Sequence, residues 1–165
     1  VIMNGLPERS RIVQAALADA GVRAEIRVLP DSARTAALAA ATLGCQVGAI
    51  ANSLVFIGVA ADGGRTPLLI MTSGRHRVDT DALAGRLGLA GIVRATPDQV
   101  RASTGQAIGG VAPVGHPEPL ETIIDVTLAG YHPLWVAGGT PHTILPLSYA
   151  ELVRITSGRE EQVGD

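Results

Sequence analysis

The sequence has no lysine: its 13 Lys+Arg residues are all arginine. That absence excludes a lysine Schiff base, a phosphate-loop lysine, a kinase-type strand lysine and a Ser–Lys nucleophile pair. Cysteine is almost missing too. With Cys45 alone, no intramolecular disulfide can form, which suits a reducing compartment and gives a cytoplasmic expectation. Long apolar runs are also lacking. No stretch of about 18 residues escapes Gly, Pro or charge, so a membrane span is not expected, and no signal-peptide pattern opens the chain. The net charge of −2 argues against sequence-blind tracking along DNA or RNA, but permits local contact with a phosphate.

Several chemical signatures are absent as well. His76, His116, His132 and His142 show no helical pair spacing, so neither they nor the single thiol suggest a metal site. Cys45 reads as a core thiol between a helix stop and a strand. There is no Gly-x-Ser-x-Gly, and no Gly-x-Gly-x-x-Gly follows a strand. The expectation is a site without metal or cofactor.

What is present is a chain of 165 residues, 47% hydrophobic and 17% charged, sized for one domain spanning residues 1–165. Ser10 reads as the cap of a helix with Ile12, Val13, Ala16 and Leu17 on one face and Gly21 as its stop. Alternation over Ala24–Val28 predicts a strand. A helix is expected from Asp31 or Ser32 to Leu43, closed by Gly44. From Gln46 to Val59 the run reads as two short strands, or one bent at Asn52-Ser53. Asp62-Gly63-Gly64 predicts a hairpin turn before Leu68–Met71. Further helices are marked by Asp79 or Thr80 through Leu87, by Thr96-Pro97, and by the capping box Ser148–Glu151. Ile92-Val93, Thr122–Val126 and Leu134–Ala137 read as strands, with another short strand between Gly138 and Pro146. Strands and helices alternate irregularly, so the fold class is mixed α/β.

Four clusters could carry chemistry, each with an ordinary structural reading beside it. Asn52-Ser53 places polar groups in an apolar run, as a kink or a site. Arg75-His76-Arg77 is a solvated turn or a phosphate contact. Gly109–Gly115 is a tight loop, or backbone N–H groups brought close to a carbonyl. Gly138–Thr143 either closes a strand end or presents the imidazole of His142.

Taken together, Ala49–Phe56, His76–Asp79, Ala95-Thr96-Pro97, Thr104–Gly115 and Asp125 resemble the YbaK/EbsC family of aminoacyl-tRNA deacylases. That family is related to the editing domain of bacterial prolyl-tRNA synthetases, and the resemblance runs from about residue 33 to 158. It implies a mixed β-sheet or partly closed barrel surrounded by helices. The implied activity is hydrolysis in trans of the ester linking a small, wrong amino acid to tRNA, most often tRNA for proline. The implied partners are the acceptor end of mischarged tRNA and, in addition, an aminoacyl-tRNA synthetase.

By position, the resemblance assigns the catalytic role to Asn52, Gly109, Gly110 and Pro113. It gives substrate binding to Ser53, Phe56, His76, Arg77, Val111, Ala112, Asp125, Gly139 and His142. The N–H groups near Gly110 would hold the aminoacyl carbonyl while a neighbouring ribose hydroxyl positions water. Asn52 stands where many members carry lysine, and asparagine cannot supply that charge. Altered substrate choice and loss of catalysis, leaving a non-catalytic aminoacyl- or nucleotide-binding module, both follow as readings of that departure.

Overall fold

A computed structural model describes residues 5–31, 33 and 35–164. Its organising element is a ten-residue strand, β2 (Ile50–Val59), which runs straight through Asn52-Ser53 where a kink was expected. The bend is avoided because β3 (Arg65–Ser73) pairs with it antiparallel without interruption, from Ala51 opposite Ser73 to Val59 opposite Arg65. Val47–Ala49, expected to be strand, forms a short 3-10 turn leading into it. The Asp62-Gly63-Gly64 turn closes the hairpin, with Gly63 at φ +87 and the Asp62 carboxylate accepting the Gly64 N–H at 2.9 Å.

The other strands are β1 (Arg27–Val28), β4 (Gly91–Arg94), β5 (Glu121–Asp125), β6 (Leu134–Ala137), β7 (Thr143–Leu147) and β8 (Arg159–Glu161). They build a mixed sheet in the order β1-β7-β6-β2-β3-β5-β8, with β4 also on β2. The sheet does not close into a barrel. The expected strand at Ala24–Val28 shrinks to β1 at the edge. β8 was not expected, since Arg159, Glu160 and Glu161 are all charged; it adds parallel to β5 through its backbone.

Capping chemistry explains most helix boundaries. Helix α3 (Thr80–Leu87) starts on Asp79 and stops at Gly88. Helix α4 (Pro97–Thr104) has the Thr96–Gln99 capping box, and α5 (Tyr149–Thr156) has the Ser148–Glu151 box. Helix α1 (Glu8–Asp19) departs from expectation, because it opens after Pro7 and encloses Ser10. Ser10 is buried there and donates to Thr143 Oγ1 at 3.0 Å, a long-range bond that local pattern does not reveal. Helix α2 (Ala36–Leu43) starts on Thr35, whose hydroxyl accepts the Leu38 N–H at 3.1 Å. Asp31 precedes that start, and Ser32, the alternative expected cap, lies outside the described residues.

Apolar packing fixes both faces of the sheet. Val13 and Leu17 of α1 and Leu152 of α5 pack with Ala51, Val55, Leu69 and Met71 on one face. On the other, Phe56, Leu68 and Ile70 meet Leu83 of α3. A separate group sets Ala39 and Ala40 of α2 against Ile50, Trp135 and Ile144. Each fully buried Leu or Ile stabilises the fold by roughly 2 kcal/mol.

Candidate functional site

Strand β2 forks on the edge away from β3. Its first residues, Ile50 and Ala51, pair in parallel with Trp135 and Val136 of β6. Its last, Phe56 to Val59, pair antiparallel with β4. Between these contacts neither strand reaches β2. Ile50 accepts the Gly74 N–H on the β3 side, and Val55 accepts the Ala95 N–H on the opposite side. Alternation therefore turns the backbone N–H and C=O of Ser53 into the gap.

A glycine loop faces that gap. Gly105 ends α4 in the left-handed region at φ +70 and turns the chain toward Gln106. The buried Gln106 side chain holds the loop from inside, its Oε1 accepting the Ala112 N–H at 2.6 Å and its Nε2 donating to Val114 O at 3.2 Å. His116 Nε2 lies 2.8 Å from Ala112 O. Burial lowers the His116 imidazole below its ordinary 6.5, outweighing that hydrogen bond's upward pull. Gly110 is pressed on the neighbouring loop, where a Cβ would stand 2.1 Å from the Thr140 carbonyl carbon and 2.4 Å from Pro141 N. Only glycine fits there without moving one loop off the other.

The resulting cleft has a volume of about 100 Å³. Asn52, Ser53, Gly109, Val111, Thr140 and Pro141 surround its polar side, while Trp135, Ile144 and Ala39 contribute apolar walls. No lining residue is charged. A smaller cavity of about 40 Å³ adjoins it, sharing Ser53, Gly109 and Val111 and reaching Phe56 and Arg94. A larger hollow of about 380 Å³ lies along Pro113–Leu120, with prolines along one wall and His116, Glu118, Thr122, Thr156 and Ser157 among its other lining residues.

The structure thus brings Asn52, Ser53, Gly109 and Val111 together, with Phe56 next door. Other expected positions lie elsewhere. The Gly110 N–H bonds Ala107 O at 3.3 Å, and that of Ala112 bonds Gln106, so neither is turned to a ligand. Pro113 is buried on the far side of the loop, along the proline-rich hollow. Gly139, at φ +104, packs on α1, where a Cβ would meet Val13 Cγ2 at 3.1 Å. His142 is exposed beyond Pro141, its Nδ1 3.7 Å from Asp31 Oδ1.

His76 and Asp125 form a second centre instead. Asp125 is fully buried and hydrogen-bonds His76, while its oxygens accept the N–H groups of Ser73 and Thr127 at 2.9 and 3.0 Å. Arg77 is exposed in the same segment, with its carbonyl against Gly164. None of the three lines the cleft. Among the described residues, no group of three His, Cys, Asp or Glu side chains could hold a metal ion, and no helix is long and apolar enough to cross a membrane.

Comparison with known proteins decides the family. Residues 30–155 match the aminoacyl-tRNA editing domain. The chain belongs to that family. This editing domain is 31% identical over 128 residues to the uncharacterised protein YwhH of Bacillus subtilis (strain 168), covering 78% of each chain. A solved candidate trans-editing enzyme for prolyl-tRNA synthetase is 38% identical, with a TM-score of 0.89 over 98% of this chain and 99% of that one. The hypothetical protein APE2540 shares the fold at 24% identity and a TM-score of 0.80, over 93% of this chain and 99% of that one.

Sequence reasoning missed Thr140, Pro141, Trp135 and Arg94 as parts of the editing domain's cleft and its annex. The glycine pair before Thr140 was the available signal, but in the run Gly138–Thr143 the more conspicuous functional group is the imidazole of His142. Trp135 and Arg94 had no local signal, since each reaches the site through strand pairing.

Proposed function

We propose that this protein hydrolyses, in trans, the ester bond of mischarged aminoacyl-tRNA carrying a small amino acid, with tRNA for proline as the favoured carrier. The observation that supports this reading most is the fork in β2, where an uncharged cleft of about 100 Å³ is bounded by Asn52, Ser53 and the Gly109–Val111 loop. A small side chain fits against Trp135, Ile144 and Ala39. The Ser53 N–H, together with those of Gly109 and Val111, supplies donors for the aminoacyl carbonyl as charge builds on its oxygen. Asn52 hydrogen-bonds the substrate amino group or a ribose hydroxyl.

The lining offers no carboxylate, imidazole or thiol as a base. Water is therefore oriented by the free vicinal hydroxyl of the substrate's own ribose. The water oxygen bonds to the ester carbon, the bond to the ribose oxygen breaks, and the proton that water gives up passes to that ribose oxygen. Free amino acid and intact tRNA result.

The test is a panel of tRNAs charged with alanine, cysteine, serine and threonine. Release of at least one amino acid by purified protein, strongly slowed by Gly110→Val, is the expected result. No release from any of them, beside a working control deacylase, overturns the reading. Tight binding of a non-hydrolysable aminoacyl-adenosine without turnover would then identify a binding module.

A further inference from the structure

Neither the cleft nor its annex contains an acidic side chain, and between them they contain one charged residue, Arg94. It ends β4 opposite Phe56, on the far arm of the fork from Trp135. Its guanidinium has no hydrogen-bond or ion-pair partner among the described residues, whereas four other arginines are occupied. Arg86 and Arg154 donate to the carbonyls of Gln162 and Ala20, Arg159 bonds Glu161, and Arg27 lies over the Trp135 ring at 4.9 Å. Arg94 thus joins exposure, a position lining the annex, and five donors in a fork suited to phosphate oxygens.

We propose that Arg94 binds the 5′-phosphate of the terminal nucleoside whose aminoacyl group occupies the main cleft. This rests on the editing reading above and gives the substrate a direction: amino acid toward Trp135, nucleic acid leaving past Gly109 toward β4. From Asn52 to Phe56, opposite Arg94, the strand advances about 13 Å, the scale of an aminoacylated nucleoside. The contact is electrostatic and sequence-blind. It positions the ester without touching the reacting atoms, so Arg94 is a positioning residue.

The experiment compares two amide-linked alanyl-adenosine analogues, one with and one without a 5′-phosphate, for binding to wild-type protein, Arg94→Gln and Arg94→Lys. Wild type should prefer the phosphorylated analogue by about tenfold. Arg94→Gln should lose that preference while binding the unphosphorylated analogue unchanged, and Arg94→Lys should recover most of it. On mischarged tRNA, Arg94→Gln should raise KM with kcat preserved, and lower the salt dependence of binding by about 0.7 in log–log slope. An unchanged preference in Arg94→Gln, or none in wild type that still deacylates tRNA, overturns the assignment and leaves the editing reading intact. If wild type neither deacylates the tRNA panel nor binds either analogue, both fall.

Discussion

The fork at Ser53 on β2 and the cluster around Asp125, at the end of β5, both adjoin the last residues of β3, yet treat polar groups in opposite ways. Around Asp125 the polar groups are tied to one another. The carboxylate takes bonds from Ser73, Thr127 and His76, and Ser73 Oγ donates to Gly48 O at 2.7 Å. Gly48 and Gly74 are required by the crowding, since Cβ atoms there would meet Tyr131 Oη at 2.1 Å and Val47 O at 2.5 Å. At the fork, β6 and β4 leave the backbone of Ser53 unpaired. A saturated network fixes shape, and an unsaturated edge is left available to a ligand. Through Ser73, the Asp125 cluster is tied to the turn from which β2 begins.

Substitutions that separate shape from chemistry test this contrast. The largest stability change is expected for Asp125→Ala, which strands buried donors and should cost about 3–5 kcal/mol in urea unfolding. Deacylation per folded molecule should change little, and a collapse of activity with stability retained would move Asp125 into the chemistry. Gly110→Val forces the loop off Thr140 and Pro141, and should lower kcat/KM about a hundredfold through displacement of the Gly109 and Val111 donors. Its readout is the tRNA panel, with circular dichroism confirming that the fold survives. Asn52→Ala should reduce kcat/KM about tenfold while leaving stability within about 0.5 kcal/mol. Equal losses in both would make Asn52 another structural polar group.

The smallest effect concerns His116, behind the loop. Its imidazole is held neutral in the fold, below its ordinary 6.5, so the unfolded chain binds the extra proton first as pH falls. The stabilisation is present in full above pH 6.5 and lost as pH falls through the lowered folded value. Melting temperature should therefore drop below that pH in wild type, and less steeply in His116→Gln. Parallel curves would show that other groups govern the acid limb.

The contrast also explains what could be read from the sequence. Caps at Asp79, Thr96 and Ser148 are local chemistry, and they located α3, α4 and α5. Asn52-Ser53 stood out because polar residues in an apolar strand require a reason, and both line the cleft at the fork. His76 stood out only within its cationic run and Asp125 only through the resemblance, and a buried network and an open site look alike along the chain. What separates them is whether partners arrive from distant segments. Thr143 reaching Ser10, Arg94 reaching the annex and β8 joining β5 depend on such distant meetings.

An exposed strand edge invites another chain to add to the sheet and seed aggregation. The opening in β2 avoids that hazard by its length. An incoming strand would need a run of unpaired backbone, yet β6 blocks the edge through Ala51 and β4 blocks it from Phe56 onward. A small polar group can enter where a neighbouring polypeptide cannot gain register. One forked strand can thus offer its backbone to a ligand while remaining a poor template for self-association.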